Sequence, residues 1–244
     1  MDSVIRPGDK IEIRIVQQVE QNSINGDPIH VYKSCVEDVL DEDTFEIDMP
    51  IESGKVLLLP LDVRYEFIFF SKSSLYRARG VVVERYKRDN IYLLKIEFKS
   101  PLTKYQRREY YRYPCLIDMK YVLLDEEEWK QTNVNLLYNE IVEKNPGRFK
   151  DGKVLDLSGG GMRFSTPVSL LGGDYIMVVV HLVNDSFDKH YAIPGRLIAS
   201  DSVEGFKTLF QNRIQFVFRD MKVREEIIRF IFEEERSLRR KNTI

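Results

Sequence analysis

The sequence of 244 residues is long enough for two ordinary domains or one large one, and its composition, 43% hydrophobic and 31% charged, is typical of a globular protein. Its formal net charge of −2 argues against a protein that coats DNA or RNA, because such proteins are usually strongly basic. Any basic stretch is therefore a local feature, which favours a small or localised anionic ligand over a long polyanion.

Alternating apolar and polar residues predict short strands through the first hundred residues. In DKIEIRIVQQV, residues Ile11, Ile13 and Ile15 alternate with charged residues, as in a half-buried strand. Further extended segments follow, separated by short polar turn signals: IHVYKSCVEDVL, TFEIDMP, KVLLLP, RYEFIFFS, LYRARGVVVERY and IYLLKIEF. This spacing predicts a small antiparallel β-barrel or sandwich over residues 1–98.

Residues 99–106, KSPLTKYQ, are polar and carry no periodic pattern, which predicts a linker. A second β-rich unit, residues 107–244, follows, with strands in CLIDMKYVLL, GKVLDLS, GMRFS, DYIMVVVHLV, HYAIPGRLIAS and NRIQFVF. Residues 125–149 break the strand rhythm and suit a helical insertion. The C-terminal segment is expected to be a helix with a buried stripe. That stripe comprises Val223, Ile227, Phe230, Ile231 and Leu238.

The number of cysteines and the lengths of the apolar runs indicate where in the cell the protein is located. Two cysteines, Cys35 and Cys115, are too few for a disulfide framework, and no CxxC pair suggests zinc. Both are expected to be small buried hydrophobes in a reducing compartment. The segment MDSVIRPGDK lacks the apolar core of a signal peptide, and the longest apolar runs are strand-length. These features predict a cytoplasmic protein without membrane insertion.

No catalytic or metal-binding constellation is recognisable in the sequence. The three histidines, His30, His181 and His190, fall at no metal-ligand spacing, and no GxSxG, P-loop or HExxH motif occurs. The acidic run at 125–128 is expected to be a solvated face rather than a metal site. The sequence therefore predicts a protein that is not an enzyme and that has neither catalytic residues, metal nor cofactor.

The first candidate site is YQRREYYRYPC, residues 105–115, at the end of the predicted linker. Arg107, Arg108 and Arg112 lie close together here, and a strand follows at once. The spacing of Arg108 and Arg112 places their side chains on the same side of a strand or a helix. Two guanidinium groups can grip phosphates bidentately, bind the O6/N7 edge of guanine and stack on a purine. A solvated connector is the plain alternative.

The second candidate site is VLDLSGGGMRFS, in which Gly159, Gly160 and Gly161 separate two predicted strands. A tight β-turn that needs positive φ would explain these glycines without any ligand. Asp156 and Ser158, however, are two apart on a strand and face the same side. They could read the polar edge of one ligand while the glycines let the backbone approach it. A carboxylate here complements the N1–H and N2–H₂ donors of guanine.

Together, QRREYYR and DLSGGG resemble the RxxxR and [D/N]xSxxG motifs of PilZ domains, which are receptors for the bacterial second messenger cyclic di-GMP. Arg108 and Arg112 match the first motif, and Asp156, Ser158 and Gly161 match the second. The first hundred residues resemble, in layout, the β-barrel that precedes PilZ in flagellar brake proteins of the YcgR type. The resemblance implies a mainly β protein with two small antiparallel barrels, the second a six-stranded PilZ barrel with a C-terminal helix.

The resemblance also implies a ligand site and an output. Cyclic di-GMP would be clamped between the PilZ barrel, the linker and the N-terminal domain, and its binding would change domain orientation. In PilZ relatives an arginine directly before RxxxR goes with two intercalated ligands, so Arg107 predicts two molecules per site. The implied output is control of flagellar motility through a stator or rotor-switch protein at the flagellar basal body. The implied ligand contacts are Arg107, Arg108, Arg112, Asp156, Ser158, Gly159, Gly160 and Gly161.

Three alternatives remain open at this point. The protein could be a PilZ effector of exopolysaccharide synthesis. It could be a single-stranded nucleic-acid binder in which the arginines contact phosphates and Tyr105, Tyr110 and Tyr111 stack on bases, although the net charge speaks against this. It could also be a scaffold whose PilZ fold no longer binds nucleotide, although the motifs are intact. Binding to duplex DNA is not expected.

Overall fold

A computed structural model describes residues 4–25, 29–72, 74–206 and 208–241. The chain divides into two compact units, residues 1–107 and 108–244, and each is built around its own closed antiparallel barrel. The prediction of a mainly β protein with two barrels and a C-terminal helix is confirmed. No helix within the described ranges is long and apolar enough to cross a membrane.

The first unit is a six-stranded barrel with short additions. Its described elements are β1 (Lys10–Ile15), α1 (Val16–Asn25), β2 (Tyr32–Val39), β3 (Thr44–Asp48), β4 (Ile51–Glu52), β5 (Lys55–Val56), β6 (Arg64–Phe70), β7 (Leu75–Arg88), β8 (Ile91–Phe98) and β9 (Thr103–Tyr105). The strand order is β6-β1-β2-β3-β8-β7, and the pairing of β6 with β7 closes the ring. Strands β4 and β5 form a separate hairpin.

The period of two in the sequence explains which side chains fill this barrel. Ile11 and Ile13 of β1 are buried and lie opposite Phe69 and Phe67 of β6 in the strand register. Burying a side chain of this size contributes about 1.5–3 kcal/mol of hydrophobic stabilisation. The apolar alternation of β1 therefore faces the core, as predicted.

The predicted first strand is shorter than expected, because it ends at Ile15 and α1 follows directly. The apolar residues Val16 and Val19 are three apart, and the residues between and after them are mostly Gln and Glu. This is a helical spacing, and Gln and Glu favour helices over strands. The change of period after Ile15 is the local signal for α1.

Part of the stretch expected to be a linker belongs to the sheet of the first unit. Strand β9 lies within residues 99–106 and pairs with β7, with Tyr105 opposite Leu75. The guanidinium of Arg77 covers the ring of Tyr105, with its carbon 4.8 Å from the ring centroid. The absence of a pattern in so short a strand reflects its length rather than a lack of structure.

The second unit is a closed six-stranded barrel followed by a long helix. Its described strands are β10 (Arg112–Leu124), β11 (Lys150–Ser158), β12 (Gly161–Thr166), β13 (Tyr175–Asn184), β14 (Phe187–Ser202) and β15 (Phe210–Phe216). They close in the order β10-β11-β12-β15-β14-β13. The helical insertion predicted at 125–149 is also found, as α2 (Glu126–Lys130), α3 (Val134–Lys144) and a 3₁₀ turn (Pro146–Arg148).

The insertion is fixed to the outside of the barrel by a cap and a small core. The side chain of Asp125 accepts a hydrogen bond from the backbone N–H of Glu128 at 2.8 Å, which begins α2. Helix α3 packs its apolar face on the outside of β10, β13 and β14. The buried residues of this second core are Val122, Leu124, Leu137, Ile141 and Met177.

The C-terminal helix, α4 (Met221–Lys241), packs on the barrel through Ile227, Phe230 and Ile231, each of which is buried. The ring of Phe230 meets that of Tyr113 edge-on, with centroids 6.5 Å apart. The prediction that Leu238 shares this stripe is wrong, since Leu238 is 45% exposed. It lies seven residues after Ile231 and on the same helix face, but no later residue in the described part of α4 is buried against the barrel.

Candidate functional site

Strand alternation in the second barrel separates the core side chains of the two candidate segments from the outward ones. Tyr113, Leu157, Met162 and Ile214 lie opposite one another across β10, β11, β12 and β15, and all are buried in the core. Side chains one position away point to the other face. One such outward row, in register across the same strands, consists of Pro114, Asp156, Arg163 and Arg213.

Two irregularities in the pairing of β11 set this outward row. The register shifts between Pro114 and Ile117 on β10, and again between Val154 and Asp156 on β11. Val154 pairs with Phe164, so an antiparallel ladder without a shift would place Leu155 opposite Arg163. The shifts therefore bring a carboxylate, rather than an apolar side chain, opposite the arginine, as bulges beside binding sites commonly do.

The outward side chains line an open cleft of about 550 Å³. Three of the residues predicted from the sequence, Arg108, Arg112 and Asp156, meet in it although they come from separate segments. The complete lining consists of Arg108, Arg112, Pro114, Asp156, Arg163, Asp201, Gln211 and Arg213. Four arginines and two aspartates give this lining a formal charge of 4 − 2 = +2, which suits an anionic ligand.

Both carboxylates of the cleft are paired with arginines. Asp156 Oδ2 accepts a hydrogen bond from Arg163 Nε at 2.8 Å. Asp201 Oδ2 accepts one from Arg213 Nη2, also at 2.8 Å. Arg163 has a second contact, because its Nη1 donates to Gln211 Oε1 at 3.2 Å. The pair at Asp156 is the more protected of the two, since that carboxylate side chain is 14% exposed and Asp201 is 64% exposed.

Tyr110 anchors the loop between the two arginines of the RxxxR motif. Its ring lies against Gly159 and Gly160, where an added Cβ would come within 2.8 and 2.9 Å of the ring. Arg224 of α4 places its guanidinium carbon 4.8 Å from the ring centroid and pairs with Glu109 at 3.6 Å. These two glycines thus make room for Tyr110, and the packing fixes the loop on the barrel.

The glycines at 159–161 are not explained by a tight β-turn that needs positive φ, the explanation that the sequence suggested. None of Gly159, Gly160 and Gly161 has a positive φ, so a turn that needs one is not the explanation. An added Cβ at Gly161 would lie 2.1 Å from the carbonyl oxygen of Ile214, so close strand approach requires this glycine. Ser158 Oγ donates to the Gly161 carbonyl at 2.9 Å. The role of these four residues in ligand binding stays a prediction.

Arg107 belongs to the first unit and is not among the residues that line the cleft. Its Nη1 donates to both carboxylate oxygens of Glu12, at 3.2 Å each. Its guanidinium carbon lies 5.1 Å from the ring centroid of Phe70. Glu12 also accepts a hydrogen bond from Arg14 at 2.8 Å. The third predicted arginine is therefore held by a carboxylate of the first barrel.

Two polar side chains near Arg112 on β10 are uncharged around neutral pH. Burial, together with the hydrogen bond that the hydroxyl donates to Glu234 at 3.0 Å, raises the pKa of Tyr113 to about 12. Burial also raises the pKa of the Cys115 thiol to about 12, with a smaller contribution from the charge of Asp156. At this end of β10, neither side chain carries a negative charge that would offset the positive charge of Arg112.

Family models match both units of the chain. A model described as "Flagellar protein YcgR" matches residues 6–98, and the PilZ domain model matches residues 106–233. The chain belongs to the PilZ domain family. The barrel of the second unit is its PilZ barrel. No curated protein matches the sequence.

Solved structures share the fold of this PilZ protein along nearly its whole length. The Bacillus subtilis inhibitor of motility, MotI/DgrA, is 12% identical with a TM-score of 0.70, and the match covers 96% of this chain and 99% of that one. Escherichia coli YcgR, in complex with c-di-GMP, is 14% identical with a TM-score of 0.50, covering 97% and 88%. At these identities the likeness is one of fold.

Four polar residues of the PilZ cleft were not singled out by sequence reasoning. Arg163 had a local signal, because it lies at an outward position next to the core residue Phe164 and two residues after Gly161. The other three depend on the pairing of β15 with β12 and β14, which no local pattern reveals. They are Asp201, Gln211 and Arg213.

The tyrosines considered for base stacking have other neighbours. Arg77 covers Tyr105, and Arg224 covers Tyr110. Tyr111 is 53% exposed. Two of the three rings are therefore engaged within the chain, which weighs against a nucleic-acid-binding platform. Among the residues that the structure describes, no group of three or more His, Cys, Asp or Glu could hold a metal ion.

We expect Gly161→Ala to destabilise the PilZ barrel by roughly 1–3 kcal/mol, because the added Cβ would force β12 and β15 apart. Gly147→Ala is the matched control in the same unit, since nothing lies within 4 Å of its added Cβ, and it should change stability by less than about 1 kcal/mol. Denaturant unfolding followed by the fluorescence of Trp129, the single tryptophan, measures both. Equal unfolding midpoints for the two variants would show that strand approach does not constrain Gly161.

Proposed function

We propose that this chain is a receptor for cyclic di-GMP, with the ligand bound in the arginine-lined cleft of the PilZ barrel. The proposal is carried by the meeting of Arg108, Arg112 and Asp156 in one cleft. Small-molecule sites commonly have volumes of roughly 300–1,000 Å³, a range that includes this cleft. Escherichia coli YcgR, which shares the fold, has been crystallised with the same ligand.

The chemistry of the cleft suits both parts of this ligand. Arg108 and Arg112 can donate paired hydrogen bonds to a phosphate or to the O6/N7 edge of guanine. Asp156 can accept from the N1–H and N2–H₂ donors on the opposite edge of the base. Ser158 and the glycine turn at 159–161 contribute the backbone against which the ligand rests. The reaction is binding alone, so the protein acts as a receptor and not as an enzyme.

The mechanism is a change of domain orientation driven by the ligand. The division between the two units falls between Arg107 and Arg108, within the arginine cluster. A ligand that binds this cluster therefore contacts the connection between the units. It can shift their arrangement only by its difference in affinity for the alternative arrangements.

The physiological output is control of swimming at the flagellar motor. The ligand-bound protein leaves the bulk cytoplasm and docks on a stator or rotor-switch protein at the basal body. Two names support this output: the N-terminal family model is that of a flagellar protein, and the Bacillus subtilis relative is an inhibitor of motility. A standard interface needs about 800 Å² from each partner, which one face of a small barrel can supply.

A second bound molecule of cyclic di-GMP is proposed to use Arg107. A third guanidinium gives a second guanine a surface to stack on and offsets the added phosphate charge. To do so, Arg107 must exchange its two hydrogen bonds with Glu12 for contacts with the ligand. Glu12 is therefore a competitor of the second ligand molecule.

Arg108→Ala and Arg112→Ala should each weaken cyclic di-GMP binding by about 1–3 kcal/mol, as expected for lost bidentate contacts. Both side chains are exposed, so neither change should unfold the protein. Calorimetric titration with cyclic di-GMP measures the effect, with GTP and cyclic di-AMP as ligand controls. Arg239→Ala, on a side chain of α4 that is 78% exposed and outside the cleft, should bind like the wild type. Unchanged binding by the Arg108, Arg112 double mutant would refute the site.

The titration should saturate at two molecules of cyclic di-GMP per chain, and Arg107→Ala should move this ratio towards one. Glu12→Gln, which removes the competing charge and keeps the size of the side chain, should strengthen the second binding step. Saturation of the wild type at one molecule would contradict the proposed stoichiometry. A Glu12→Gln variant with weaker second binding would contradict the competition.

Raising cyclic di-GMP in the native host should slow swimming in the wild type but not in a deletion strain. Complementation with the wild-type chain should restore the response, and complementation with the Arg108→Ala, Arg112→Ala chain should not. Swimming speed is tracked in all four strains, with exopolysaccharide measured in parallel. Equal slowing in all strains would exclude a brake, and a change in exopolysaccharide alone would favour the alternative output.

A further inference from the structure

Arg163 and Asp156 form a pair that sequence motifs do not mark. The two residues lie directly opposite each other on β12 and β11, and Arg163 Nε donates to Asp156 Oδ2 at 2.8 Å. The guanidinium of Arg163 is itself held, because its Nη1 donates to Gln211 Oε1 at 3.2 Å. The arginine is thus attached at two points of its planar group. The two contacts restrain the guanidinium, and the Nε contact restrains the carboxylate that it reaches.

The contact engages only one oxygen of the carboxylate. The oxygen that accepts from Arg163 is Oδ2, and the side chain is 14% exposed at the wall of the cleft. An ionised carboxylate only accepts hydrogen bonds, and each oxygen can take more than one. The Arg163 contact therefore leaves acceptor capacity towards the cleft while it fixes the plane in which that capacity lies.

A carboxylate in a fixed plane distinguishes the two purines. Guanine presents N1–H and N2–H₂ side by side, and both can donate to it. Adenine presents a lone pair at N1 and has no amino group at C2, so the same carboxylate would face an acceptor. Sites built to receive a donor reject analogues that lack it, because a polar group of the site is then left unpaired. A carboxylate free to rotate would discriminate less sharply.

We propose that Arg163 is a positioning residue that orients the Asp156 carboxylate and thereby sets the preference of the cleft for guanine over adenine. This inference rests on the proposed binding of cyclic di-GMP in the cleft. Arg163 acts through Asp156, in contrast to Arg213, the neighbouring arginine opposite it on β15, which is paired with Asp201. Loss of Arg163 lowers affinity for the guanine ligand more than for the adenine ligand.

The test measures the affinities of the full chain for cyclic di-GMP and cyclic di-AMP. Arg163→Ala should weaken both ligands through the lost charge and, beyond that, lower the ratio of the two affinities about tenfold through cyclic di-GMP, as for the loss of one charge-assisted hydrogen bond. Arg163→Gln should keep most of the preference, because its side-chain N–H₂ lies the same number of bonds from the backbone as the arginine Nε. Arg213→Ala removes the same charge from the cleft and should weaken both ligands alike, leaving the ratio unchanged.

A double-mutant cycle separates positioning from a general charge effect. If Arg163 acts through Asp156, Arg163→Ala should cost little further cyclic di-GMP affinity once Asp156→Ala is present. Additive effects in the cycle, or an equal loss of both ligands in Arg163→Ala, would overturn the inference. The fluorescence of Trp129 during thermal unfolding checks that each variant is folded. Wild-type protein that binds no cyclic di-GMP would refute the proposed function itself, an outcome distinct from a wild type that binds while Arg163→Ala keeps its selectivity.

Discussion

Closure of the second barrel is the constraint on which the cleft depends. Each strand is hydrogen-bonded on both sides, so a side chain lies either in the core or on the outer face. Leu157 is in the core, and strand alternation therefore places Asp156 on the outer face. A slip of one residue would move Asp156 inward and Leu157 outward. Burying an unpaired carboxylate costs several kcal/mol, so the packing of the core enforces the position of the ligand-facing row.

Sequence reasoning located the barrels and the two motif segments because their signals are local. Alternation in β1 and the spacing of Arg108 and Arg112 can be read within a few residues. Arg213 and Asp201 could not be found in this way, because they reach the cleft only through strand pairing far apart in the chain. The register shift that brings Asp156 opposite Arg163 is equally invisible, since Val154 and Leu155 are both apolar and the local sequence fits either register. The prediction that Leu238 is buried failed for a similar reason. Periodicity shows which face of a helix is apolar, but it does not show how far along the helix the barrel surface extends.

The glycine run shows that one motif can have two physical causes. Gly159 and Gly160 leave room for Tyr110, and Gly161 permits the approach of β12 to β15. Neither cause involves a ligand, yet both fix the loop that carries Arg108 and the turn beside Asp156. Arg224 extends this packing to α4. Movement of the loop between Arg108 and Arg112 would therefore disturb contacts of the C-terminal helix.

Arg107 differs from Arg112 in how each residue is held. Its pair with Glu12 is partly exposed, with the arginine side chain 35% accessible, and ion pairs of this kind contribute about 0–1 kcal/mol. Exchange of that carboxylate for a phosphate replaces one charge-assisted contact by another, so the net cost of recruiting Arg107 is small. Arg112, by contrast, begins β10, and its backbone is fixed by strand pairing opposite Ser158. In the proposed receptor, Arg112 therefore determines where the ligand binds. Arg107 can leave Glu12 and contact the ligand once the ligand is bound.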